Sequence, residues 1–238
     1  MAGWVFNGSG VTGSPSKGER GVCIKGGVMI DLIKKILLFL SGLKPAPVKN
    51  EPVLDIEPEP QTWIGLDAFM AATGLSSVSA QDWYPYVRAA CLEFQITAPV
   101  RLAAFLAQVG HESGGFVYTR EIWGPTAAQK GYEGRSDLGN TRPGDGQKFR
   151  GRGLIQITGR GNYQHLKDSL GVDVVNNPIL LEQKPLAARS AAWWWANNGC
   201  NEIADTGDFE RLTRRINGGI NGLADRLDRW DRAKRVLA

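Results

Sequence analysis

The sequence is poor in the residues that most often mark a metal or redox site. Of 238 residues only two are His (His111 and His165) and only three are Cys (Cys23, Cys91 and Cys200). The Cys are far apart, odd in number and not in CxxC spacing, which argues against a disulfide framework and a zinc site. Two isolated His do not make a ligand cluster, so no catalytic metal and no cofactor is expected. Neither sign of charge is in large excess: 28 Lys and Arg stand against 24 Asp and Glu, a net +4. That balance favours an anionic partner such as a cell-wall polymer or a membrane surface, and no motif points to nucleic acid. A membrane-spanning run is missing too. The stretch Ile36 to Leu43 is mostly apolar but only eight residues long, too short to cross a bilayer as a helix.

What is present is ordinary for a soluble globular protein, with 42% apolar and 22% charged residues. Thirty Gly and eight Trp are both high. Trp suits sugar-binding clefts through its flat apolar face, although core packing accounts for most Trp in most chains. Residues 1–28 are rich in Gly and Ser and show no periodicity, and Met29 is an alternative start. The run from Met29 to Leu43 has three readings: a secretory signal, a helix lying on a membrane, or a helix packed on the rest of the protein. Lys44 to Gln61 carries five Pro with interleaved charge and reads as a semi-rigid linker. The expected organisation is an N-terminal extension over 1–43, a linker over 44–61 and a compact domain over 62–238.

Within the compact domain, Ile64–Thr73 predicts a short helix stopped at Gly74. Ser79–Phe94 predicts a second, with Pro85 in its first two turns and a start that Pro85 pushes later. Pro99–Phe116 then sets the problem of the chain. Leu102, Phe105, Leu106 and Val109 share one helical face. Thr97 is placed to cap that helix and Pro99 to start it. The next position on the face is Glu112, just before Ser113, Gly114 and Gly115 end the helix. Either Glu112 is a poorly solvated carboxyl beside a flexible turn, as a general acid should be, or the helix simply ends and Glu112 points to water. Gly131 to Gly161 carries nine Gly and one alternating run, Leu154 to Thr158, which predicts loops and a small β-hairpin. Leu180–Asn198, with Trp193, Trp194 and Trp195, predicts a core helix, since three successive Trp cannot face one cleft. Phe209–Ile216 and the stripe Leu223, Leu227, Trp230 and Leu237 predict two more helices.

Glycosidic cleavage needs a second carboxyl on another segment. The loop offers Glu121, Glu133, Asp137 and Asp145, and composition does not choose among them. Here the residues carry a resemblance. Phe105 to Phe116, FLAQVGHESGGF, resembles the catalytic-acid segment of family 19 glycoside hydrolases. Arg150 to Tyr163, RGRGLIQITGRGNY, is similar to that family's GRGxIQ strand. Asn176-Asn177-Pro178, the Trp193–Trp195 helix and Ile216-Asn217-Gly218-Gly219 follow in the family's order. Leu138 to Gly146, LGNTRPGDG, is similar to the bacterial and phage branch, which contains endolysins and lysozyme-like muramidases, rather than to plant chitinases.

The resemblance covers about Trp63 to Ala238 and implies a mainly α, lysozyme-like fold of two lobes around a cleft. It implies Glu112 as general acid and Glu133 as the general base that activates water, with Glu121 as the alternative base. Thr158 stands where a hydroxyl helps to hold that water. Gln156 and Asn162 match cleft polar residues, Asn217 a substrate-binding Asn, and Arg226 a cleft Arg that interacts with the base. The family inverts the anomeric centre, so water must fit between base and sugar. The expected function is an endolysin that hydrolyses β-1,4 bonds of bacterial peptidoglycan. A chitinase of the same family, a one-carboxylate lytic transglycosylase and a non-catalytic wall-binding module are the rivals. The expected partners are peptidoglycan glycan strands or chitin, with membrane-surface contact through 29–43, and the chain is expected to be a monomer. The expected location is the host cytoplasm until a holin opens the membrane and then the periplasm and wall, or direct export if Met29 begins a signal.

Overall fold

The computed structural model describes residues 63–237. The expectations for the extension over 1–43, the linker over 44–61 and Cys23 fall outside that range. The described chain is mainly helical. Its order is α1 Leu66–Thr73, α2 Ser77–Glu93, α3 Pro99–Glu112, α4 Ala127–Lys130, α5 Asp145–Lys148, α6 Arg160–Leu170, α7 Lys184–Asn197, α8 Cys200–Asp205, α9 Phe209–Asn217 and α10 Leu223–Leu237. Short 3-10 turns cover Ser136–Leu138 and Pro178–Glu182. Among the described residues no helix is long and apolar enough to cross a membrane.

The centre of the domain is α3. Every residue from Leu102 to Gly110 is buried, so the helix is enclosed all round rather than on one face. Ala103, Ala104, Ala107 and Gly110 make this feasible, because small side chains let neighbouring elements approach closely. A methyl group at Gly110 would lie 3.3 Å from Arg229 of α10. α10 packs mainly on α3 and on α1, and α2 packs on α7. Trp195 of α7 is fully buried and meets Phe105 of α3 edge-on at 5.3 Å. Its indole nitrogen donates to Asn201 Oδ1 at 2.9 Å, so the polar edge is satisfied. Trp193 is buried too, as the core reading of this run requires.

Three local expectations change. α2 starts at Ser77, earlier than the sequence predicts, because Ser76 accepts the Ser79 amide and caps it. Pro85 lies inside the helix on its exposed face, where water can satisfy the carbonyl it frees. The N-cap of α3 is Ala98 rather than Thr97, and it makes no side-chain cap bond; Pro99 at the first helical position removes one amide that would need a partner. The small hairpin contracts to isolated antiparallel bridges, Arg120 with Arg152 and Arg152 with Ile157. Gln156 at φ 57° turns the chain between Arg152 and Ile157, so no run of ladder bonds can form there.

Candidate active site

Glu112 is the last residue of α3, and the turn after it is tightly made. Ser113 is fully buried; its hydroxyl donates to Val109 O at 2.7 Å and accepts the Phe116 amide at 2.8 Å. Gly114 and Gly115 adopt φ of 61° and 76°, which sends the chain back along residues 117–122. The Glu112 side chain is 14% exposed, neither fully sequestered nor solvated.

The partner of Glu112 comes from far along the chain. Arg226 Nη2 donates to Glu112 Oε1 at 2.5 Å, and its side chain is 2% exposed. Arg226 Nη1 donates to Gln108 Oε1, and Nε to Asn221 O at 3.1 Å. Gln108 is itself buried and donates to Thr213 Oγ1 at 2.9 Å. The resemblance implies an Arg226 that interacts with the base; in the structure it pairs with the acid candidate and, at that depth, braces Glu112 from within. Beside this pair, His111 Nδ1 lies 2.7 Å from Asp225 Oδ2, so the end of α3 and the start of α10 are joined twice.

Glu112 opens into a cavity of about 340 Å³. Glu121, Gln156, Tyr118 and Arg120 share its wall, with Ile122, Thr126 and Gln129. A second cavity, of about 410 Å³, lies between Trp63, Leu92, Pro99 and Leu237 and has no ionisable side chain in its lining. Glu121 is held firmly in the first cavity. Its Oε1 accepts from Gln129 Nε2 at 3.0 Å and Tyr132 OH at 3.3 Å, and its Oε2 from the Gly151 amide at 3.3 Å. Gln129 also caps its own loop, accepting the Gly124 and Thr126 amides and donating to Ile122 O. Burial, then the Glu121 charge, pushes the Tyr132 phenol up to about 12, so it stays a donor at neutral pH.

Glu133 is placed otherwise. Its carboxylate accepts the Gly144 amide at 2.6 Å and the Gly146 amide at 2.9 Å, and it is not in the wall of the Glu112 cavity. It therefore clamps the loop that enters α5. The same loop is fixed by Asp145, 1% exposed, which takes Arg160 Nη2 at 2.5 Å and Nε at 2.8 Å. The Arg160 hydrogen bond holds the Asp145 carboxyl below its ordinary range. A side chain at Gly139 would sit 2.8 Å from the Gly161 amide, so this crossing requires glycine. Of the two candidate partners, Glu121 therefore shares the cavity of Glu112, and Glu133 is held on its own loop.

The remaining predicted residues divide. Thr158 is buried and donates to Gln156 O at 3.0 Å, while Asn162 Nδ2 donates to Thr158 O at 2.7 Å. Gln156 Nε2 donates to Gly153 O at 2.9 Å, but its Oε1 is buried with no hydrogen-bond partner. Asn217 ends α9, outside the wall of the cavity, and its Nδ2 is likewise buried and unpartnered. The sequence reading missed Gln108, Gln129 and Tyr132. Gln108 had a usable signal, since it lies one turn before Glu112 on a helix otherwise apolar at that depth. Among the described residues no group of three His, Cys, Asp or Glu is arranged to hold a metal ion.

Residues 84–204 match the family model described as chitinase class I, the glycosyl hydrolase 19 domain. The chain belongs to glycoside hydrolase family 19. It is therefore a hydrolase of the glycosidase type, and the matched segment contains Glu112, Glu121, Glu133, Gln156, Thr158 and Asn162 but stops before Asn217 and Arg226. Among relatives, it is 38% identical over 152 residues to a glycosyl hydrolase family 19 domain-containing protein of Haemophilus influenzae, covering 52% of this chain and 74% of that one. It is 37% identical over 118 residues to an endochitinase of Arabidopsis thaliana, covering 50% of this chain but only 39% of the plant protein. Among solved structures, a mutant of chitinase C superposes with a TM-score of 0.56 at 25% identity, covering 73% of this chain and 92% of that one. The family 19 fold is mainly α and lysozyme-like, in agreement with the expected class.

Proposed function

We propose that this family 19 hydrolase cleaves β-1,4 bonds of an N-acetylated aminosugar polymer with Glu112 as general acid and Glu121 as general base. The observation that carries this reading is that both carboxylates face one cavity while Glu133 is spent on the backbone of its own loop. Glu112 protonates the leaving oxygen. Glu121 accepts the proton of a water that attacks the sugar from the other side, inverting the anomeric centre. Hydrogen bonds from Gln129, Tyr132 and the Gly151 amide fix where the Glu121 oxygens stand in the cavity. Arg226 and Gln108 fix the direction of Glu112 from below. The unspent Gln156 Oε1 is an acceptor suited to an N-acetyl or hydroxyl donor of the substrate.

The natural polymer is peptidoglycan in this proposal, and the protein acts as a wall-lysing enzyme of the endolysin kind. Leu138–Gly146 supports this through its similarity to the bacterial and phage branch; its Gly144 and Gly146 amides receive Glu133, and Asn140 Nδ2 donates to Tyr132 O. Chitin is the second reading, favoured by the plant relative named endochitinase and the solved structure named chitinase C. Mass spectrometry of the products from purified peptidoglycan and from chitin, with proton NMR of the anomer first formed, tests both. Muropeptides with new α-configured reducing ends support the proposal. Anhydro-sugar products, or release from chitin alone, contradict it.

A further inference from the structure

The mechanism leaves a group of guanidiniums unexplained. Arg120 and Arg152 stand directly opposite each other in an antiparallel bridge. Like charges so placed repel, and the arrangement needs an anion. Glu182 is the carboxylate that serves them. It takes Arg152 Nε at 2.8 Å and reaches Arg120 Nη1 only at 3.4 Å. Arg152 is fully committed, with further bonds to Lys148 O and the Tyr163 hydroxyl. Arg150 adds a third positive charge. Among the described residues it forms no ion pair, and its Nε is buried without a hydrogen-bond partner. Burial first, then Arg152, holds its guanidinium below the ordinary value, with Glu182 opposing. Arg120 and Arg152 thus share one carboxylate. The least committed, Arg120, has a side chain 60% exposed and stands in the wall of the cavity that holds Glu112 and Glu121.

We propose that Arg120 is a carboxylate-binding subsite that reads an acid group carried on one sugar of the substrate. Chitin is neutral and offers nothing for it. A glycan of the muramic acid type offers the acid of its lactyl ether or the acids of an attached peptide. Glu121 does not occupy Arg120: the two form no ion pair, and the Glu121 oxygens are turned to Gln129, Tyr132 and Gly151. A planar guanidinium at the rim binds such a group through two parallel N–H donors and sets the register of the strand across the two carboxylates. This inference rests on the proposed catalytic reading, and it would make the enzyme selective for anionic over neutral strands.

The test uses the full chain and its Arg120→Gln variant on three forms of one purified glycan: peptide-free strands with free lactyl acids, the same strands with those acids converted to methylamides, and strands still bearing peptides. Native melting of the variant is measured alongside. The wild type is expected to show a KM about 5-fold lower on a carboxylated form than on the amidated form, the upper range for an exposed ion pair, with the difference fading at high salt. In Arg120→Gln that ratio falls to about 1. An effect on the peptide-free strands names the lactyl acid as ligand, and an effect confined to peptide-bearing strands names the peptide acid. A wild type that treats acid and amide alike, or a variant that keeps the ratio, overturns the subsite. Either result leaves the catalytic reading intact if Glu121→Gln is inactive on all three forms, whereas an active Glu121→Gln overturns that reading by itself.

Discussion

Replacing Arg226 by Met removes a cation that shares almost none of its surface with water. Arg226 Nη2 pairs with Glu112, Nη1 with Gln108 and Nε with Asn221 O, and the side chain is 2% exposed. Met fills much of the volume but leaves the Glu112 carboxylate without its counter-charge, the buried Gln108 Oε1 without its donor and the exposed Asn221 O to water. Breaking one side of a buried pair costs about 3–5 kcal/mol. Glu112 keeps 14% of its exposure, so partial hydration brings the expected loss to the low end, about 3 kcal/mol. For a domain of this size each kcal/mol lowers Tm by about 2–4 °C, which gives a drop of about 6–12 °C. The assay is thermal unfolding followed by circular dichroism, with urea unfolding to obtain the free energy. The double variant Glu112→Gln, Arg226→Met completes the comparison. A neutral amide no longer needs the guanidinium, so the double variant should recover about 1–2 kcal/mol relative to the sum of the single losses. A Tm for Arg226→Met within about 2 °C of the wild type, or strictly additive losses, would refute the claim that this contact is a buried, coupled pair.

Other outcomes follow from the same contacts. Gln129→Leu removes two donors and an acceptor around Glu121, and turnover should fall about tenfold through misplacement of the base while the far-ultraviolet spectrum is unchanged. Unaltered turnover would show that Gln129 does not position Glu121. Asp145 is held below its ordinary value by Arg160, so its contribution to stability is present above about pH 4 and lost as pH falls through the depressed value. Asp145→Asn should therefore lower Tm at pH 7, with the gap to wild type closing in acid; a gap that is constant with pH would count against the Arg160 pairing. Burial pushes the Cys91 thiol well up and Cys200 up to about 12, so neither should react with a disulfide reagent at pH 8 until denaturant is added. Rapid native labelling of either would contradict the packing described.

The helices were largely legible because their signals are local. The apolar spacing of α3, Pro99 at its start and the glycines after Glu112 are all read within eighteen residues, 99–116. α6 was missed because it buries only Tyr163 and Leu166, too sparse a stripe to show periodicity. The chemistry was less legible because it depends on contacts between distant segments. What settles Glu112 between solvated end and braced carboxyl is an arginine 114 positions away. Glu121 and Glu133 look alike in sequence, as acids of the loop region that follows α3. They differ only in what their oxygens meet, which is two loop amides for Glu133 and a buried glutamine and tyrosine for Glu121. The ordered family motifs narrowed the choice of acid, and the proposal takes Glu121 over Glu133 as base from these contacts.

That choice is tested most directly by the turnover of Glu121→Gln and Glu133→Gln on the same soluble glycan, each checked for native melting. Losing a positioned acid–base group costs about 10²–10⁴-fold in rate. Glu121→Gln is predicted to fall by at least about a hundredfold with its Tm retained, and Glu133→Gln to keep turnover within about threefold while its loop clamp, and so its Tm, weakens. An inactive Glu133→Gln beside an active Glu121→Gln would contradict the account.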